Sequence, residues 1–397
     1  MSGGVRIILV RFVLALLGVC SASACSSAAD NSLTSEEQAE GWLLLFDGAT
    51  TFGWRPTGEA DWTVADGRII VTKGEPCFLR TTTQFCDYVL KVDFRATTET
   101  NSGVFLRTSP KPSNVTRDCY ELNIAPPDNP FPTGSFVQRE KVEGVGADDQ
   151  WHTYEVRADG AHWTVSIDGK KILDYTDPAP TGRGFISLQH RTGQVEFKNI
   201  KLKPLGNESI FNGKDLAGWK TYPDLKSVFS VNEKGDLHVK DGLGQLETEN
   251  SYDNFVLQMD CFSNGENLNS GVFFRCIPGE QMNGYECQIH NGFDGDRSKP
   301  LDTGTGGIFR RTKARRVVTN DFEWFRLTLI ADGPHISTWA NGYQVADWTD
   351  TRKADPNPRR GLRLEAGTIM IQGHDPTTDL SFRNIEIGKM RSRWPQK

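Results

Sequence analysis

The sequence predicts an all-β protein of two tandem antiparallel β-sandwich domains, and three observations carry that prediction. The chain has 397 residues, more than one ordinary hydrophobic core organises. A set of motifs occurs twice in the same order, roughly 170 residues apart. Within each copy the apolar residues recur with period two, as in half-buried strands, and no amphipathic helix is discernible after residue 40.

Arg6 and Arg11, the apolar run Phe12–Val19 and the small residues Ser21–Ala24 read as an export signal over 1–24. The apolar stretch is too short to span a bilayer. Ala22-Ser23-Ala24 fits ordinary cleavage, but with Cys25 it also resembles a bacterial lipoprotein box. The expected location is therefore the periplasm, or a membrane surface reached through a lipid anchor on Cys25. Residues 25–40, rich in Ser, Ala and Asn, read as a flexible tether. The net charge of −6 argues against nucleic acid as a partner, since a surface that tracks phosphates needs a basic excess. Beyond the signal lie Cys77, Cys86, Cys119, Cys261, Cys276 and Cys287, three per half. Cys77 with Cys86 could close a hairpin, and no CxxC zinc spacing occurs.

The repeat opens with Leu45-Phe46-Asp47-Gly48 and Gly53-Trp54, which return as Ile210-Phe211-Asn212-Gly213 and Gly218-Trp219. Asn101-Ser102-Gly103-Val104-Phe105-Leu106-Arg107 returns as Asn269-Ser270-Gly271-Val272-Phe273-Phe274-Arg275. Tyr120-Glu121-Leu122-Asn123-Ile124 answers to Tyr285-Glu286-Cys287-Gln288-Ile289, and Asp168-Gly169 to the hairpin turn Asn341-Gly342. These spacings bound a first domain at 41–204, a second at 205–390 and a tail at 391–397. Many short strands with turn signals indicate a jelly-roll or lectin-like sandwich.

Alternation sorts the strand faces. Tyr285, Cys287 and Ile289 share one face, leaving Glu286, Gln288 and His290 on the other. With Val272 and Phe274 in the core, Phe273 and Arg275 should point outward beside Gly271. Ile369 and Ile371 read as core, with Met370, Gln372 and His374 outside and Asp375 at the strand end. A stripe of carboxylate, amides, guanidinium and an aromatic ring suits a sugar, although outward polar residues also serve simply to solvate a sheet. In the first half Arg107, Glu121 and Asn123 hold the matching positions. His190 stands near the place of His374, and Ala125 replaces His290. The Arg310–Arg316 loop shrinks to Arg139-Glu140-Lys141, so the second half is the better candidate for chemistry.

Together with Gly304-Thr305-Gly306-Gly307-Ile308-Phe309, Glu323-Trp324 and Gly361-Leu362-Arg363-Leu364, these motifs resemble the 3-keto-disaccharide hydrolase domain family, formerly a domain of unknown function. The resemblance covers nearly the whole chain in two copies. It implies a concanavalin-like or laminin-G-like sandwich and hydrolase or lyase action on 3-keto-glycosides. A ketone at C3 acidifies C2–H, so a base removes that proton and the enolate expels the group at C1. On this reading Glu286 or His290 is the base, Arg275 the enolate or hydroxyl partner, and His374 with Asp375 a second acid/base pair. Phe273, Gln288, Gln372 and Arg310 would bind substrate, as would Arg107, Glu121, Asn123 and His190 in the first half. A divalent metal on His290, Glu286 and His374 would also stabilise an enolate. The rival readings are a non-catalytic carbohydrate-binding protein and an adhesion module.

Overall fold

The computed structural model of the protein describes Met1 and residues 29–143 and 146–392. The segment read as an export signal, apart from Met1, and Cys25 lie outside the described residues. Among those described, no helix is long and apolar enough to cross a membrane.

Two sheets build each half. In the first, a five-stranded antiparallel sheet runs Trp54–Pro56, Cys77–Thr81, Phe185–Thr192, Asn101–Thr108, Tyr120–Ile124. It faces an eight-stranded sheet centred on Trp151–Asp159, Tyr88–Ala96 and Val195–Pro204. Leu79, Val104, Leu122 and Leu188 of the first sheet meet Leu90, Val92, Tyr154 and Phe197 of the second in one core. The second half repeats the plan. Its five-stranded sheet runs Trp219–Lys220, Gly244–Thr248, Thr368–Gly373, Ser270–Cys276, Tyr285–Ile289, and its eight-stranded sheet centres on Trp324–Asp332, Phe255–Ser263 and Asp379–Lys389. Apart from one short helix, Ser35–Ala39, the described chain is thus all-β, with two sandwiches in tandem.

The repeated motifs have local causes. Gly53 and Gly218 sit at φ +82° and +86°, where a side chain would be strained, and each turns the chain so that the next residue, a Trp, comes back on the opening motif. The Trp54 and Trp219 indoles donate to the carbonyls of Leu45 and Ile210. Tyr120 and Tyr285, buried in the two cores, donate their hydroxyls to Asp177 and Asp350.

The halves pack together. Val256, Ile330 and Trp339 of the second half join the first core, and the Trp339 indole donates to Leu44 O at 3.0 Å. Arg315 pairs with Asp47 at 2.8 Å and Arg183 with Asp332 at 3.0 Å. Trp324–Asp332 is therefore buried on both faces beyond its first residue, whereas its counterpart Trp151–Asp159 alternates buried and exposed.

One expectation needs correction and one open alternative is decided. The tether does not extend to residue 40. Thr34 and Glu37 close a capping box on the helix Ser35–Ala39, Lys198 and Lys201 hold Asp30 and Glu37, and Leu33 packs with Trp42 and Leu44. No disulfide joins Cys77 to Cys86; both are thiols, and burial pushes the Cys86 pKa up to about 11. Arg391, at the start of the expected tail, pairs with Asp87.

Candidate functional site

Strand register places the outward residues of the second five-stranded sheet in two rows. One runs Lys220, Glu247, Met370, Phe273, Glu286 through successive cross-strand pairs. The next holds Gln245 opposite Gln372, and Gly271 opposite Gln288. Glu286, Gln288, Phe273 and Gln372, all proposed from alternation, therefore share one face on adjacent strands, but Phe273 is 1% exposed and packs with Met282, Met370 and Cys276, so its ring is covered and not open to a substrate.

Glu286 is the distinctive group. It is 8% exposed, and burial pushes its pKa up to about 7, against the opposing charges of Arg359 and Arg310. Gly271 makes room for it: a Cβ there would stand 2.9 Å from Glu286 Oε1. Glu286 borders a cavity of about 60 Å³ shared with Phe309, Arg310, Arg311 and Arg359. A wider depression of about 440 Å³ continues past Arg310 to Asp302 and Lys313. A larger cavity, about 680 Å³, lies at the seam between the halves, away from this carboxyl. The Glu286 end is the better candidate because a buried carboxyl near neutrality, beside cations, is what proton transfer needs.

Gln288 and Gln372 supply a second signal. They are 1% and 5% exposed, and their Oε1 atoms have no hydrogen-bond partner. Gln288 Nε2 is held by Asn269 Oδ1 and Ser270 O. Buried unpaired amide oxygens on a site-facing surface suit the hydroxyls of a ligand.

Alternation overlooked Glu247, Gln245 and Tyr222. Glu247 is fully buried and accepts from the Tyr222 and Thr368 hydroxyls and from Gly279 N. Gln245 Oε1 accepts from Met282 N at 2.6 Å. The signal was present in Gln245-Leu246-Glu247, which alternates polar, apolar, polar.

Arg275 does not face the site. It adopts φ +49°, breaking the pairing between Phe273 and Cys276, and this reverses the alternation. Its guanidinium is fully buried, donating to Asp253 O, Gly333 O and Arg363 O and to Asn254 Oδ1. Arg107, at φ +44°, does the same with Cys86 O, Gly160 O, Thr181 O and Asp87. Both arginines tie loops to the sandwich and cannot reach a substrate. His190 is a further correction. Gln189, not His190, occupies the place of Gln372, and His190 shares the parity of core Leu188, 2% exposed with Nδ1 unpartnered.

His290 and His374 stand at the ends of their strands, flanking the Asn269 end of Ser270–Cys276. His290 Nδ1 accepts from Gly292 N, and its own N–H donates to Thr305 Oγ1. His374 Nδ1 lies 2.8 Å from Asp375 Oδ2. Burial pushes the Asp375 carboxyl up, but the Thr377 hydroxyl and His374 more than offset it and leave it below its usual range. Four residues of strand put His290 about 13 Å along from Glu286. The metal set His290, Glu286, His374 therefore does not assemble, and the described residues hold no group of three metal-binding side chains.

In the first half the corresponding rows read Arg55, Arg80, Ser187, Phe105, Glu121 and Phe78, Gln189, Gly103, Asn123. Burial pushes the Glu121 carboxyl up to about 7 as well, opposed by Arg191. Gln138, at φ +59°, takes the place of Arg310 at φ +60°. Thus Arg107 and His190 fall away from the face, while Glu121 and Asn123 lie on it.

A sequence model of the family described as 3-keto-alpha-glucoside-1,2-lyase-like domain matches residues 41–203 and again 206–388. The chain belongs to this family, in two tandem copies. Two solved structures of candidate glycosyl hydrolases from Parabacteroides distasonis are similar to it. One is 23% identical with TM-score 0.40, covering 45% of this chain and all of the other. The second is 26% identical with TM-score 0.37, covering 46% of this chain and 99% of its own. A Bacillus licheniformis beta-glucanase aligns at 14% identity and TM-score 0.34 over 42% of this chain and 97% of its own. No curated protein matches the chain. Membership in the 3-keto-alpha-glucoside-1,2-lyase-like family places both rows in domains of one kind, so the differences between them are differences within a family.

Proposed function

We infer that the second half cleaves 3-keto-glycosides by removal of the C2 proton, with Glu286 as the base. The observation that carries this reading is a buried Glu286 carboxyl, its pKa pushed up to about 7, facing outward beside Arg310 and Arg359. Membership in a 3-keto-alpha-glucoside-1,2-lyase-like family supports 3-keto-glycosides as the substrate class.

In this scheme the Glu286 carboxylate takes the C2 proton, and the C2–H electron pair moves to make the C2–C3 enolate, with its charge on the C3 oxygen. Arg310 and Arg359 balance that charge. Collapse of the enolate breaks the bond from C1 to the leaving oxygen, which receives a proton, and water then adds across the resulting enone to complete hydrolysis. Gln288 and Gln372 hold ring hydroxyls through their unpaired oxygens. His290 and the His374–Asp375 pair, about 13 Å along the face from Glu286, are too far to protonate the oxygen leaving C1 and in this scheme contact only the distal part of the departing group. The residues do not fit a metal site, so no step runs through one. The chain acts outside the cytoplasm in this proposal, on the strength of residues 1–24, either free in the periplasm or anchored through Cys25.

The test is incubation of the full chain with a 3-keto-disaccharide in D₂O. The reading expects release of the reducing sugar together with deuterium at C2. Tight binding with neither release nor exchange contradicts it and leaves a carbohydrate-binding protein.

A further inference from the structure

We propose that the outer face of the first five-stranded sheet is a second carbohydrate site, selective for a sugar that carries an anionic group. The inference rests on the carbohydrate reading above and adds a ligand class that family membership does not supply.

Arg55 and Arg80 carry it. They are direct cross-strand partners, so two cations of like orientation sit on adjacent strands. Like charges in that relation destabilise a sheet, and an anion between them removes the penalty. Burial and the facing Arg55 both push the Arg80 pKa down, with no carboxylate opposing them. Arg80 is held as a flat plate, its guanidinium 4.4 Å from the Phe185 ring centroid and its Nη1 donating to Pro110 O at 2.6 Å. Its Nε is buried without a partner. Arg55 is exposed, lies toward the seam with the second half near His335, and has no carboxylate ion-pair partner among the described residues.

The rest of the face suits a sugar ring. Phe78 and Phe105 pack edge to face at 4.7 Å, and half-buried Phe78 occupies the position of Gln245. An aromatic surface there accepts the C–H side of a pyranose. Gln189 and Asn123 are 8% and 3% exposed, and Gln189 Oε1 and Asn123 Oδ1 have no partners, so the face keeps two acceptors for ring hydroxyls. At the matching positions of the second half stand Lys220 and the buried Glu247, whose carboxylate is already satisfied by hydroxyls and a backbone N–H. An anionic substituent at that end meets two cations in the first half and a carboxylate in the second.

The test titrates the full chain by NMR with three probes, a methyl hexuronide, a 6-O-sulfated methyl hexoside and the neutral methyl hexoside, reading Phe78 and Phe105 ring shifts. One or both anionic probes should bind at least about tenfold tighter than the neutral one, a preference that weakens as salt rises. The hexuronide and the sulfate ester distinguish carboxylate from sulfate as the natural group. Arg55→Gln and Arg80→Gln should each abolish the preference, and Lys220→Gln should leave it unchanged. Arg55 is exposed, so its variant keeps the test open if Arg80→Gln fails to fold. Equal affinity for all three probes, or a preference that survives Arg55→Gln, overturns the inference while leaving the carbohydrate reading intact. Absence of binding by every probe, together with no turnover in the second half, overturns both.

Discussion

The two five-stranded sheets use one frame for two surfaces. Gly103 and Gly271, Phe105 and Phe273, and Glu121 and Glu286 occupy equal places, and both carboxyls are pushed up to about 7. At the other end the pair Arg55–Arg80 stands where the second half has Lys220–Glu247, and Gln138 where it has Arg310. The residues that repeat therefore fall into two groups. Arg107 and Arg275, Tyr120 and Tyr285, and Trp54 and Trp219 bind backbone or buried carboxylates and hold the sandwich. The glutamates over glycine are held on the sheet face at an energetic cost, which fits the role in chemistry or binding proposed above better than a stabilising one.

That division can be broken most forcefully at the structural arginines. Arg107→Ala strips the Cys86, Gly160 and Thr181 carbonyls of a buried donor and leaves Asp87 held only by Arg391 and Gly160 N, and should cost about 3 kcal/mol in denaturant unfolding. Arg310→Ala, on an exposed side chain, should leave unfolding unchanged and lower turnover. Equal stability losses in both variants would dissolve the distinction.

The glutamates sharpen the comparison from the opposite side. Their folded pKa values lie above the unfolded value, so each favours folding most below about pH 4.5, and that contribution is lost as pH rises through about 7. Above pH 7 each carboxylate costs up to about 3 kcal/mol. Glu121→Gln should therefore raise stability at pH 8 and change little at pH 4. A variant less stable than wild type at pH 8 would show that the carboxylate is held by partners.

A smaller effect is expected at the glycine beneath the carboxyl. Gly271→Ala brings a methyl to 2.9 Å from Glu286 Oε1 and must displace it. Turnover should fall on the order of tenfold, with a stability change of about 1 kcal/mol or less. Gly103→Ala presses mainly on Leu122 O, at 3.0 Å, and should leave second-half turnover untouched.

Much of this was legible in the sequence wherever strand alternation held. Tyr285-Glu286-Cys287-Gln288-Ile289 and Ile369-Met370-Ile371-Gln372 sort as their periodicity predicts, and the internal repeat exposed the tandem plan. Alternation failed at Arg107 and Arg275, because a left-handed residue at the strand end reverses the facing of the side chain, and nothing in Phe-Leu-Arg or Phe-Phe-Arg announces it. His190 was misplaced by one residue, enough to move it from the face to the core. The metal set failed on distance, since residues four apart in a strand lie about 13 Å apart. The packing of the halves was also beyond the pattern: the all-round burial of Trp324–Asp332 is set by contact with the first core.

The most direct test of the account is the pH profile of kcat/KM for a 3-keto-disaccharide in the full chain, compared with Glu286→Gln. The account predicts a wild-type rate that rises with pH through about 7, as the Glu286 carboxylate forms, and a loss of about 10²–10⁴-fold in the variant with sugar binding retained. A Glu286→Gln chain that turns over at the wild-type rate, with the same rise near pH 7, would contradict it.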